Sequence, residues 1–200
     1  MGMSFTRRRT IAGIAALAVA GVVVVAAFSL VTLAPAPDRQ AAERFPDGPT
    51  VAFYGDSYTL GTGASDPAKR WSTLVSVPRE WNEFNPSVNG LGFVTNRNSL
   101  PGQDLVQQIV AADPDLIIVT MGLNDNFSMP AAADEIRAAI TADFSTFANA
   151  LPEARIVVVE PFWYMDARPA SVDQIGVWVA AAAAAVNADH IGGALSLIHI

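Results

Sequence analysis

The sequence predicts an α/β fold built on a doubly wound parallel sheet, and three observations carry that prediction. Strand-like and helix-like segments alternate from residue 50 onward. The strand segments Leu116–Thr120 and Arg155–Glu160 are continuously apolar between their ends, as in strands buried on both faces. The segments between them place apolar residues at helical spacing or are rich in alanine.

In order, Thr50–Tyr54 is a short apolar strand ending at Gly55, and residues 70–81 read as a helix carrying Trp71, Leu74 and Val75, with Pro78 as punctuation. Glu83–Val88 reads as a weak extended segment leading into the glycine-bearing loop Asn89-Gly90-Leu91-Gly92. Residues 103–112 set Leu105, Val106, Ile109 and Val110 at helical spacing. The strand 116–120, an Ala-rich helix over 131–150, the strand 155–160 and a second Ala-rich helix over 169–187 complete the rhythm.

The 200 residues allow one domain of ordinary size with a short appendage. Residues 1–44 hold five Arg and two acids, a net +3, whereas residues 45–200 hold seven basic and seventeen acidic groups, a net −10. So acidic a globular part argues against a nucleic-acid partner, which needs a basic face. The absence of Cys excludes disulfides, thiolate metal sites and cysteine nucleophiles, and two His leave little for a histidine metal site.

Arg7, Arg8 and Arg9 precede an uncharged run from Thr10 to Pro37, long enough to span a bilayer, for which roughly 20 apolar residues suffice. The expectation is a basic cytoplasmic stub and membrane anchor over 1–34, with a cleaved signal as the alternative, a Pro-rich linker over 35–49, and an extracytoplasmic domain from 50 to 194. The predicted location is therefore the cell membrane through a single N-terminal span, or secretion if the segment is removed.

In a doubly wound sheet the ligand sits beyond the carboxyl ends of the strands. The four successive strands are followed by Gly55-Asp56-Ser57-Tyr58, Asn89-Gly90, Gly122-Leu123-Asn124-Asp125 and Pro161-Phe162-Trp163-Tyr164. Ser57 can present a hydroxyl at the sheet edge, Gly90 lets a substrate oxygen approach its N–H, and Asn124 offers a neutral amide donor. A serine attacking an acyl carbon requires such donors for the developing oxyanion. Singly, each feature is an ordinary turn or cap; Trp163 and Tyr164 fit either a substrate pocket or aromatic packing at a strand end.

Together, Val51-Ala-Phe-Tyr-Gly-Asp-Ser-Tyr-Thr-Leu-Gly-Thr-Gly63, Asn85 with Gly90, and Met121-Gly-Leu-Asn-Asp125 resemble the three leading blocks of the SGNH hydrolases, the GDSL-type lipases and esterases. Asn89 stands where many members carry another glycine. The resemblance implies a flavodoxin-like three-layer α/β/α fold, Ser57 as nucleophile, and an oxyanion hole from the Ser57 N–H, the Gly90 N–H and the Asn124 side chain. It implies no metal or organic cofactor. The implied partners are a small-molecule or polysaccharide ester substrate and, through the N-terminal segment, the membrane. A non-catalytic module binding acylated glycans through the same loops is the alternative.

The family's general base is a His three residues after an Asp near the C-terminus, and neither His here fits. His190 directly follows Asp189, where a fifth strand should begin, and His199 has Ser196 at the required distance. Residues 195–200 read as the translation of a transposon-end sequencing adapter, a non-native tail. The expectation is that the fifth strand, the last helix and the Asp-x-x-His block lie beyond about Ala194.

Overall fold

The computed structural model describes residues 44–100, 102–163, 165 and 167–192. The chain divides into two units, 1–40 and 41–200, of which the first lies outside the described residues. The expected anchor over 1–34, most of the linker, Tyr164, His199 and the tail also lie outside them. Among the described residues no helix is long and apolar enough to cross a membrane.

Five parallel strands form one sheet: β1 Thr50–Tyr54, β2 Asn82–Phe84, β3 Leu116–Val119, β4 Arg155–Val159 and β5 Asp189–Ile191, in the order β2-β1-β3-β4-β5. The helices are α1 Ser57–Leu60, α2 Trp71–Ser76, α3 Leu105–Ala112, α4 Ala133–Ala150 and α5 Ala170–Ala185. The predicted α/β class with a parallel sheet is the observed one, and the expected absence of a fifth strand is corrected. Residues 189–191 pair with Val157–Val159 in parallel register, so β4 has a neighbour on both sides.

Two element boundaries also differ from the sequence expectation. The helix expected over 70–81 stops at Ser76 and tightens into a 3₁₀ turn over Val77–Arg79, because Pro78 has no N–H to give the Leu74 carbonyl. The extended segment expected over 83–88 is a three-residue strand, Asn82–Phe84, ended before Pro86, which cannot donate to a ladder.

Chain direction explains how the layers divide. The β1-to-β2 connection runs one way along the sheet, and every later connection runs the other way. Right-handed crossovers therefore put α2 on one face and α3, α4 and α5 on the other. Ala52, Tyr54, Ile117, Val119, Ile156 and Val158 meet the three-helix side, packed by Ile109, Ile140, Phe144, Phe147, Ile175 and Val179. Val51, Phe53 and Ile118 meet Trp71, Val75 and Trp81 on the α2 side. The reversal of direction falls at β1, whose neighbours are β2 and β3. At such a switch point the loops leaving adjacent strands diverge and open a crevice.

The stretch before β1 is tied to the sheet. Asn82 takes the Phe45 N–H at 2.9 Å and gives its amide hydrogens to the carbonyls of Phe45 and Gly48 at 2.8 and 2.6 Å. Residues 45–48, assigned from composition to a linker, are thus hydrogen-bonded to the residue that opens β2.

Candidate active site

Ser57 opens α1 directly after β1, and the loop is specified by its neighbours. Asp56 caps the helix by accepting the Tyr58 N–H at 2.9 Å. Gly55, just after β1, permits a close approach of its neighbours. A Cβ there would lie 2.4 Å from Thr120 Oγ1 and 2.5 Å from Thr59 Oγ1, two hydroxyls that bond each other between the end of β3 and α1.

Asn124, on the turn after β3, joins the three loops. Its Nδ2 donates to Asp56 Oδ2 at 3.1 Å, beside Ser57, and to the Leu91 carbonyl at 2.8 Å, beside Gly90. One amide group thereby bonds a chain neighbour of each of the other two candidate residues, so Ser57, Gly90 and Asn124 converge at the switch point. Gly90 has φ +72°, a left-handed conformation that side chains resist, and Asn96 Nδ2 holds its carbonyl at 2.8 Å. Asn85 anchors the approach to this loop, donating to the Thr59 carbonyl at 2.8 Å and to Ser72 Oγ at 3.0 Å.

Asp125, next to Asn124, is fully buried and accepts the N–H groups of Phe93, Val94 and Thr95 at 2.6, 3.0 and 3.0 Å. A second clamp lies farther along the same loop. Arg97 reaches both oxygens of Asp143 at 2.8 Å, both oxygens of Asp104 at 2.7 and 3.0 Å, and the Phe93 carbonyl at 3.0 Å. Tyr54 Oη donates to Asp143 at 2.6 Å. Burial works against the Arg97 charge, but its bonds to Asp143 and Asp104 prevail and hold it firmly protonated. Burial pushes the Asp143 carboxyl up, opposed by Arg97 and Tyr54, and burial with the Asp143 charge raises the Tyr54 hydroxyl. Sequence reasoning missed this cluster. Asp104 was legible as the cap of α3, but nothing local pairs Arg97 with residues 7 and 46 positions away.

The Asp56 carboxyl is pushed up from its ordinary 3.8 to about 6, chiefly by burial and further by the Asp125 charge, against hydrogen bonds that pull it down. The folded state therefore holds a proton that the unfolded state has already lost between these values. The stability contributed by protonated Asp56 is fully present below about 3.8 and is lost as pH rises through about 6. Asp56→Asn is expected to flatten this part of the stability curve. Urea unfolding of both proteins from pH 3.5 to 7 checks it, and parallel curves would refute it.

The described aromatic residues after β4 divide between packing and cavity, and Trp163 takes the packing alternative. Trp163 is buried against Leu123 and Val172 with Nε1 bonded to the Ala167 carbonyl, so it belongs to the packing. Phe162 instead stacks on the half-exposed Tyr58, with ring centroids 4.5 Å apart. Both line a cavity of about 850 Å³ that starts at Asp56 and runs along the α2 side of the sheet between Trp71, Ile118 and Val159.

His190 lies on β5, opposite Val158 and exposed. Three strand spacings separate β5 from β1, roughly 14 Å. That separation removes His190 as the proton acceptor for Ser57. Among the described residues no other histidine is present.

Comparison with known proteins agrees with this fold. In structure, the chain is similar to the psychrotrophic esterase EstA of a Pseudoalteromonas species, with a TM-score of 0.55 at 15% identity, over 72% of this chain and 77% of that one. It is similar also to a family two carbohydrate esterase from Cellvibrio japonicus, with a TM-score of 0.54 at 18% identity, over 74% and 53% of the two chains. These likenesses concern the fold. No curated protein matches the sequence significantly. The model of the GDSL-like lipase/acylhydrolase family matches residues 53–191, from within β1 to the last residue of β5. The chain belongs to the GDSL-like lipase/acylhydrolase family.

Proposed function

We propose that this hydrolase cleaves acyl esters through an acyl-enzyme on Ser57, with the tetrahedral oxyanion held by the N–H groups of Ser57 and Gly90 and by the Asn124 amide. The observation that carries the proposal is the pair of hydrogen bonds that Asn124 Nδ2 donates to Asp56 and to the Leu91 carbonyl, which draws the three loops together. The substrates are O-acetylated glycans, short-chain esters or lipids. The test is prolonged labelling with an alkyl fluorophosphonate followed by peptide mass spectrometry: a slow mass gain on the peptide carrying Ser57 is expected, and modification elsewhere only would overturn the proposal.

A serine hydroxyl needs a base, and general acid–base help is typically worth about 10²–10⁴-fold. With His190 three strands away, residues 44–192 supply no histidine to Ser57. Turnover of an activated ester by this chain is therefore expected to be slow by about that factor. Restored turnover after joining an Asp-x-x-His segment would support this account. Brisk turnover without one would oppose it.

We place the domain outside the cytoplasmic membrane, held by the segment before it. Arg7–Arg9 followed by the uncharged run from Thr10 to Pro37 supports this reading. A reporter fused after residue 45 should be accessible from outside intact cells and sediment with membranes. Release of soluble domain starting near Pro37 would instead mean a cleaved signal.

A further inference from the structure

The Gly90 peptide is held from three directions, and one of the holds comes from the nucleophile's own turn. Asn96 Nδ2 holds the Gly90 carbonyl at 2.8 Å, and Asn124 Nδ2 holds the next carbonyl, that of Leu91, at 2.8 Å. On the remaining side, Thr62 Oγ1 donates to Asn89 Oδ1 at 2.5 Å. Thr62 is no remote residue: its own N–H donates to the Ser57 carbonyl at 2.9 Å, closing the turn that Ser57 opens. A continuous path therefore runs from the Ser57 carbonyl through Thr62 to Asn89, whose peptide bond to Gly90 carries the N–H in question. Gly90 is at φ +72°, where glycine moves freely between backbone basins, so its N–H direction must be set from outside the residue.

We infer that Thr62 and Asn89 are positioning residues that fix the Gly90 N–H relative to Ser57, through a side-chain bridge between the nucleophile turn and the oxyanion loop. The inference rests on the acyl-transfer reading above, because only there does the Ser57-to-Gly90 distance matter. Both side chains are exposed. An exposed neutral hydrogen bond adds little to global stability, so the bridge has no evident role in holding the fold together. What it can do is hold two groups at one separation. Errors of an ångström in such placement cost up to about 10²-fold in rate.

The test is binding of phenylboronic acid to the full chain, which needs no general base. Boron accepts an oxygen lone pair, the Oγ–B bond forms, the serine proton passes to solvent, and the resulting tetrahedral boronate puts one oxygen where the oxyanion would lie. Boron-11 NMR distinguishes this adduct from free trigonal acid and reports its surroundings. Thr62→Val and Asn89→Ala are each expected to weaken binding about tenfold and to shift the boron signal. The double variant should lose no more than either single one, since both break the same bridge. Thr62→Ser, which keeps the hydroxyl, should retain parental affinity, and melting temperatures should stay within about 2 °C. Parental affinity in either single variant, multiplied losses in the double, or affinity falling in step with melting temperature would each overturn the bridge. Ser57→Ala separates the two levels: it should abolish the tetrahedral signal. A tetrahedral adduct surviving in Ser57→Ala, or none in the parent, would overturn the acyl-transfer reading itself.

Discussion

Ser57→Ala is expected to abolish both phosphonate labelling and whatever ester turnover the parent chain shows, while leaving the melting temperature unchanged. The substitution removes one oxygen from a half-buried position at the start of α1, and the contacts that shape the turn come from other atoms. Asp56 still caps the helix through its bond to the Tyr58 N–H, and the Gly61 and Thr62 N–H groups still reach the residue 57 carbonyl. Asn124→Ala should behave differently. Loss of one oxyanion donor typically costs about 10²–10³ in rate, or about 2.7–4 kcal/mol, so labelling should slow without vanishing. Asn124 also bonds Asp56 and the Leu91 carbonyl, so its removal leaves the buried Asp56 carboxyl one donor short. A modest loss of stability should accompany the slower rate. On the proposed mechanism the oxyanion would compete with Asp56 for the Asn124 hydrogen, and the 3.1 Å bond to Asp56 is the longer of the two and the easier to yield. Labelling of Ser57→Ala at the parental rate would end the serine-nucleophile reading, whatever the family.

Much of this was legible along the chain because the strongest signals were local. The apolar runs at 50–54 and 116–119 are buried on both faces, and continuous apolarity carries that signal without any neighbour being known; the run at 155–159 buries Ile156 and Val158 and leaves Val157 and Val159 along the cavity. The positions just after those strands were readable for the same reason, and Ser57, Gly90 and Asn124 stand on converging loops. Three things were not readable. β5 is three exposed residues held by pairing with β4 and by the Arg155–Asp189 ion pair, so topology alone pointed to its start and no apolar pattern marked it as formed. Arg97, Asp104 and Asp143 meet only after α3 and α4 have docked. Phe162 and Trp163 are adjacent aromatics of opposite fate, one stacked on Tyr58 and one turned into the packing, which side-chain direction decides and composition does not.

Asp125→Ala is expected to produce the largest loss of stability of any change at the site. The carboxylate is fully buried and receives three consecutive N–H groups, those of Phe93, Val94 and Thr95. Alanine leaves all three without an acceptor in a place where water has little access. A buried unsatisfied donor costs about 1–3 kcal/mol, so partial relaxation of the loop leaves a net loss of about 3–5 kcal/mol. For a domain of this size that is a fall of about 10 °C in melting temperature, measurable by calorimetry. The loss should reach the chemistry as well, because the freed segment begins two residues after Leu91, whose carbonyl holds the Asn124 amide. Gly92→Ala offers an independent approach to the same contact. Its Cβ would lie 2.4 Å from Asp125 Oδ1, so the carboxylate must shift away from the donors it serves. Both variants should destabilise the fold and slow Ser57 labelling together, whereas Ser57→Ala affects labelling alone. If Asp125→Ala melted within about 2 °C of the parent, the three N–H bonds would not be what holds the oxyanion loop, and the Arg97 clamp would have to carry it.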